Sequence, residues 1–563
     1  MKSLIALAGL AVATAQQTAP LIHLHREGPA SIAIFVSNAD GTGERRLDTT
    51  SDLAYSPTFS PDGKWIAFAS ERSGSTDLYR IRNNGTGLER LTRQAAFEDQ
   101  PAYSPDGTQI AYVSNRGADI TDIWIYDIAS KNSRNLTSAP GGDFRPSWSP
   151  DGKWIAFSSD RGTKPRYTPT GLEPLHETSI YIVKPDASEA RRITEAGLFA
   201  GSPKWSPDSK RVVFYEMTAE ATAPARRTLA DQKGVISQIV SIDIDSGERL
   251  EHSKGPGLKV SPQYINAKKV VWLDKAARAM RNPVWSPDGK FVVYEKVTPR
   301  ARRQGESLLS AEPGYRLTYT SGETSAANDG NRIVVTEGGS LVAYDPVRRV
   351  ILPAGKNKVL GASWSPDGAW IAVGYGASFD ADWGTSQIAI VKPDGTGLQI
   401  MTKEPAGAAY PSWSPDGKKI VYRVQGRMHR GLRVLDIEKG EATILTDGRD
   451  DHPVWSPDGG LIAYTGFFED DFDVFTIKPD GAEKKRITPT IGIDRLPAWT
   501  ADGKGILFTS DRHGFHDEAP LYDGLTAPNA ELFIMDFDGK KQTRLTANKW
   551  QEGTSAWQPG ARQ

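Results

Sequence analysis

Short apolar runs alternate with tight polar turns along almost the whole chain, and they do so on one template. The unit reads P-x-(W/Y/F)-S-P-D-G-K-x-(I/V)-(A/V)-(F/Y). It appears as 57-PTFSPDGKWIAF-68, 101-PAYSPDGTQIAY-112, 146-PSWSPDGKWIAF-157, 203-PKWSPDSKRVVF-214 and 283-PVWSPDGKFVVY-294. It recurs as 411-PSWSPDGKKIVY-422, 453-PVWSPDGGLIAY-464 and 497-PAWTADGKGILF-508, while 362-ASWSPDGAWIAV-373 lacks the leading proline and the final aromatic. The aromatic-Ser segment predicts an inner strand, and S-P-D-G predicts a tight turn with Pro and Gly where their backbone geometry is wanted. The following apolar run predicts a second strand. Most copies continue through a third strand and a D-G or N-G turn to a polar outer strand, as in 77-DLYRIRNNGTGLERLT-92 and 472-FDVFTIKPDGAEKKRIT-488. Four short antiparallel strands per repeat make one propeller blade.

Copies fall around Asp62, Asp106, Asp151, Asp208, Asn266, Asp288, Asp329, Asp367, Asp416, Asp458 and Asp502, with those at Asn266 and Asp329 degenerate. A twelfth is split, residues 31–46 supplying outer strands and 553–560 an inner one. Rings usually hold four to eight blades. The expected fold is therefore all-β: tandem β-propellers of about 11–12 four-stranded blades, in two six-bladed rings. A seven-plus-five split satisfies the same count. The expected boundaries are 1–15 for a signal peptide, 16–281 for a first propeller closed by 553–563, and 282–552 for a second. The stretch between Asp274 and Asn282 is too short for third and fourth strands in the Asn266 repeat. Either that blade is truncated or a segment is missing from the sequence.

Composition narrows the classes. With 68 basic and 69 acidic residues among 563, there is no electrostatic footprint for nucleic acid or an anionic membrane. The absence of cysteine excludes a disulfide scaffold, a thiolate nucleophile and any Cys-ligated metal. The opening MKSLIALAGLAVATA has the charged start, apolar run and small-residue end of a secretory leader. No later run reaches the ~20 apolar residues of a membrane helix. A secreted protein is expected, with Asn84 and Asn135 as glycosylation sequons if the host is eukaryotic.

Elaboration collects on one face of the ring. Long second-to-third-strand loops are expected at 161–179, 217–237, 296–315 and 511–531, and long loops on a rigid scaffold commonly carry function. Loops leading into the inner strands place Asp99, Asp143, Asp451 and Asp494 near a central funnel. These are candidates for binding a polar ligand, together with His513 and His516. The catalytic candidates are His176, His452, Arg145 and Arg495: imidazoles for proton transfer, guanidiniums for a carboxylate. No metal site and no cofactor are expected, with room left for a divalent metal in the funnel. Eight tryptophans at the inner-strand position (Trp148, Trp205, Trp285, Trp364, Trp413, Trp455, Trp499 and Trp557) read as core.

W-S-P-D-G-K-x-I-A-F together with D-G-x-x-x-R-L-T resembles the WD40-like (PD40) propeller repeat of the TolB family, over nearly the whole chain after the leader. That resemblance implies a propeller and several functions. Family members include TolB itself, a periplasmic protein-binding propeller, and the propellers of prolyl-oligopeptidase-like peptidases. Others are oligogalacturonate lyases and propellers fused to amidohydrolase domains. Here no G-x-S-x-G elbow and no H-E-x-x-H helix is found, and no α/β-hydrolase domain is expected after Asp502. Two functions compete. One is a secreted binding or scaffold module for a surface protein, peptide or glycan partner. The other is a polysaccharide lyase-like enzyme with its site in a funnel. A third reading is a peptidase-type propeller without its hydrolase domain.

Overall fold

The computed structural model describes residues 21–546 and 551–558, apart from single residues and short stretches of which the longest are 223–234, 299–306, 377–385 and 513–529. The leader segment 1–15, His176, His513 and His516 lie outside the described residues. The described chain is built almost wholly of strands, most of them in four-stranded sheets that follow sequence order. The architecture is that of β-propellers. Each sheet is named below by the turn residue of its repeat.

The turn explains why the template folds this way. In the Asp416 sheet, Ser414 Oγ donates to Asp416 Oδ1 at 2.6 Å and accepts the N–H of Lys419 at 2.9 Å. Asp416 Oδ1 also accepts the N–H of Lys418 at 3.0 Å. The same Ser/Thr–Asp bond recurs at Ser60–Asp62, Ser104–Asp106, Ser149–Asp151, Ser206–Asp208, Ser286–Asp288, Ser365–Asp367, Ser456–Asp458 and Thr500–Asp502. The next position favours glycine, since Gly417 has φ +70°. Its nearest neighbour across the blade gap is Pro366 of the preceding sheet. Gly459 faces Pro415 and Gly503 faces Pro457 in the same way, so each turn leans on the one before it.

Packing contacts run from the Asp288 sheet through Asp62, Asp106, Asp151, Asp208 and Asn266, and then back to Asp288. A second series runs through Asp329, Asp367, Asp416, Asp458 and Asp502 to the sheet of the C-terminal strand, and back to Asp329. Tryptophans at the repeat position fill the gaps between neighbours: Trp205, Trp364, Trp413, Trp455 and Trp499 are all buried.

Strand pairing differs from the expected closure. Ser31–Asn38 pairs with Phe291–Thr298, so residues 31–46 complete the Asp288 sheet. Gly63 lies against Pro287, which places that sheet beside the Asp62 sheet. The C-terminal strand Gln551–Gln558 pairs not with 31–46 but with Leu21–Glu27, which in turn pairs in parallel with Arg316–Thr320. The reason lies after Thr298. There the chain leaves the Asp288 sheet with only two strands made, and the stretch expected as the loop 296–315 supplies Ser307–Leu309 to the C-terminal sheet. The two empty outer places of the Asp288 sheet are taken by the N-terminal strands. The Asn266 repeat is a pair, Lys259–Asn266 with Lys269–Asp274.

Replacing Ser414 by Ala removes the donor to Asp416 and the acceptor for Lys419 together. We expect a loss of about 1–3 kcal/mol, read as a lower midpoint of thermal unfolding. Ser130→Ala, which removes two exposed bonds, to Asp127 and from the N–H of Asn132 at 3.4 Å, serves as the control and should cost less.

Candidate functional site

A β-bulge interrupts most inner strands at one position, between Asp99 and Ala102 and between Phe144 and Ser147, for example. The residue at that point takes a left-handed backbone conformation: Ser56, Gln100, Arg145, Ser202, Ser261 and Asn282 in the first series, Tyr410, His452 and Leu496 in the second. Each immediately precedes the proline of its repeat. Left-handed φ at a non-glycine residue is costly, and bulges re-aim side chains. These residues, one to an inner strand, make up a collar in each series.

In the first series this collar is closed by its own bonds. Arg145 Nη1 donates to Asn282 Oδ1 at 3.1 Å. The Asp151 and Asp288 sheets stand three places apart in the contact cycle, whichever way it is followed, so this bond spans its middle. The Arg145 N–H reaches Gln100 Oε1 at 2.7 Å. Buried Glu295 accepts from Asn282 Nδ2 at 2.8 Å and from the N–H of Ser56 at 2.5 Å.

The second series carries a different group. Tyr410 and His452, on adjacent sheets, stack with ring centroids 3.9 Å apart and planes inclined by 29°. On its other side Tyr410 lies against Gly361 of the preceding sheet, where a Cβ would stand 2.8 Å from Tyr410 Cα. His452 Nδ1 lies 3.0 Å from Asp451 Oδ1, and Arg423 Nη1 is 2.7 Å from Asp451 Oδ2. The Arg423 guanidinium also sits 4.6 Å from the centre of the Tyr410 ring. Burial alone would raise the Asp451 carboxyl, but His452 and Arg423 outweigh it and hold it well below the usual carboxylate range. Arg495 packs over Phe472 at 5.0 Å. Burial lowers its guanidinium below the ordinary value against the opposing pull of Asp511, Asp451 and Asp471. An imidazole with a carboxylate on Nδ1, an aromatic face and two guanidiniums make a group able to bind an anion or move a proton.

The structure thus brings His452, Asp451 and Arg495 into one neighbourhood and sets Arg145 in the other collar. Asp143 and Asp494, two residues before the bulge position, are fully buried in ion pairs with Arg161 (2.8 Å) and Arg512. Asp99 is buried and its Oδ1 accepts the N–H of Gln100 at 2.6 Å. Asn84 is exposed in a turn, its Oδ1 accepting the N–H of Thr86, whereas the Asn135 amide is engaged with Asp122 Oδ2 at 2.8 Å. Among the described residues no three His, Asp or Glu side chains are grouped to hold a metal ion. No helix among them is long and apolar enough to cross a membrane. Sequence reasoning missed Tyr410, Arg423, Gln100 and Asn282. For all but Arg423 the signal was available: the residue before the repeat proline.

A family model described as the TolB beta propeller domain matches residues 19–121, 92–241 and 387–517, more than half of the chain. The chain belongs to the TolB β-propeller family. An uncharacterized protein of Agrobacterium fabrum is 27% identical over 297 residues, 52% of this chain and 85% of that protein. A TolB homologue of Chlorobium luteolum is 31% identical over 152 residues, 27% of this chain and 31% of its own length. Among solved structures, the tricorn protease aligns over 94% of this chain and 53% of its own, at 14% identity and a TM-score of 0.42.

Glu98 gives this chain a pH signature. Burial pushes its carboxyl up to about 8, from an ordinary value of 4.5. A folded-state value above the unfolded one means stability that is present below about pH 4.5 and is lost as pH rises through 8. Glu98→Gln should therefore gain on the parent protein as pH rises from 5 to 8, by on the order of 2–4 kcal/mol at the upper end. Paired thermal melts across that range read the difference, and a constant difference would show that Glu98 is already ionised at pH 5.

Proposed function

We infer that this TolB-family protein is an extracytoplasmic binding propeller. In this reading the two contact cycles are two six-bladed rings, one spanning 31–298 and the other 307–558 with the strand 21–27. The first is a bonded frame. The second takes a carboxylate-bearing ligand, an acidic sugar or a peptide terminus, at its collar. The observation that carries the reading is the Tyr410–His452 stack with Arg423 beside it, set on bulges of adjacent inner strands. The first collar bonds its polar side chains across its middle, whereas the second stacks Tyr410 on His452, with Arg423 and Arg495 gathered near Asp451. The leader-like N-terminus supports a place outside the cytoplasm.

A second reading is favoured by the Asp451–His452 contact. A carboxylate on Nδ1 fixes the tautomer, and the neutral ring then has its basic lone pair on Nε2, suited to abstracting a proton from a uronate. Titrating the protein with oligogalacturonate by calorimetry, while following the ultraviolet absorbance of unsaturated uronates, separates the two. Binding without an absorbance change, weakened at least tenfold by His452→Ala and by Arg495→Gln, supports the binding reading. Rising absorbance that His452→Ala abolishes transfers the site to lyase chemistry. Absence of binding by oligogalacturonate and by acidic peptides alike overturns both.

A further inference from the structure

The Asn266 sheet stops two strands short, and the gap it leaves is lined. Among the described residues, Lys269–Asp274 pairs with Lys259–Asn266 and with no other strand. Its outer side is a sheet edge set back between two complete neighbours.

The walls can be read from register, because residues paired across strands share a face. On the Asp208 sheet, Val213 pairs with Ser241 and Ser241 with Leu250. Val213 belongs to the core shared with Val260 of the short sheet, so this face looks into the gap. Leu250 stands 43% exposed there. His252, two residues on, bonds Ser241 Oγ at 2.8 Å and meets Tyr264 of the short sheet edge-on. On the Asp288 sheet, Val293 packs toward the Asp62 sheet. Its alternates Tyr294 and Lys296, with Phe35 opposite Tyr294, therefore face the gap. Phe35 and Tyr294 stack at 6.3 Å, and Lys296 Nζ lies 4.8 Å from the Phe35 ring centre. Glu44 bonds both Tyr294 and Lys296, so this wall is charge-balanced and its contribution is apolar. Trp272, on the edge strand itself, is 37% exposed.

We propose that this slot receives an extended, acidic segment of a partner protein, which adds to the edge of Lys269–Asp274 as the missing third strand. A sheet edge supplies unpaired backbone donors and acceptors along its length, and the walls supply apolar contacts for alternate side chains. Charge selects the partner. Lys268 and Lys269 are exposed where the edge strand begins, and the acid of that stretch, Asp274, stands at its far end. A second copy of this chain would bring the same net positive charge to the edge. An acidic strand complements it. The slot lies on the rim of the first series, apart from the collar of the second.

The test uses the full chain and two seven-residue peptides, one alternating Val with Glu and one alternating Val with Lys. Fluorescence anisotropy should show saturable binding of the acidic peptide and at least tenfold weaker binding of the basic one. Hydrogen exchange at 269–273 should be fast in the free protein and slowed by the acidic peptide. The double variant Lys268→Glu, Lys269→Glu, at exposed positions, should invert the preference while leaving thermal unfolding unchanged. Several outcomes overturn the proposal: no binding of the acidic peptide at millimolar concentration, or protection that falls on the collar instead. Slow exchange at 269–273 in the free monomer would show the edge already covered by this chain. The same protection in a concentration-dependent dimer would assign the slot to a second copy.

Discussion

The Ser/Thr–Asp hydrogen bond that recurs in nine of the repeat turns is the interaction from which the rest of the molecule follows. A hydroxyl that donates to a carboxylate and accepts a backbone N–H holds the inner and second strands in one register. The left-handed glycine beside it reverses the chain without a side chain in the way. Side-chain bonding to Ser414 lowers the Asp416 carboxyl, and the same direction holds at Asp62, Asp106 and Asp458. The acceptors therefore stay charged at neutral pH. With register fixed in these repeats, the inner-strand tryptophans pack between sheets, and the bulge falls at the residue before the repeat proline.

That alignment turns a sequence position into a spatial one. The residue preceding the repeat proline becomes the collar residue, so the chemistry of a collar can be read down a single column: Ser, Gln, Arg, Ser, Ser, Asn in one series, and Tyr410, His452, Leu496 in the other, with Gly361 at the same place in the repeat that lacks the proline. The first column is uniformly polar and bonds to itself across the centre. The second is mixed, and its tyrosine lies against a glycine that lets one strand approach its neighbour. Two residues before the bulge, the buried acids serve the blade. Asp143 and Asp494 each meet an arginine from just past the second strand and are committed to it.

The repeat made the fold legible because its turn chemistry is local: S-P-D-G states its own geometry whatever surrounds it. What was not legible was long-range. Leu21–Glu27 carries no part of the template, and nothing in its own residues says that it belongs between Arg316–Thr320 and the C-terminal strand. Residues 31–46 do carry a repeat ending, but the ending does not name which inner strands it completes; the short Asn266 repeat and the empty places beside Phe291–Thr298 decide it. At the site, Asp99, Asp143 and Asp494 were legible as acids near an inner strand. Their orientation depends on the bulge, which pattern alone does not reveal. Arg423 was hidden in a second strand that reads as core.

The N-terminal strands carry a consequence for how the chain comes to be folded. Leu21 pairs with Gln558 and Ser31 with Thr298, so the first strands made find partners only after long stretches of chain have followed. The thermodynamic penalty for such distant closure is small, about 0.6 kcal/mol for each doubling of loop length. The kinetic one is not, because non-local pairing slows folding by orders of magnitude. During synthesis, and during passage across a membrane if the chain is exported, the segment 21–46 waits with its edges bare while the repeats behind it assemble locally. Its flanks hold Arg26, Glu27, Arg45 and Arg46, charges of the kind that keep a waiting strand from pairing with the wrong neighbour.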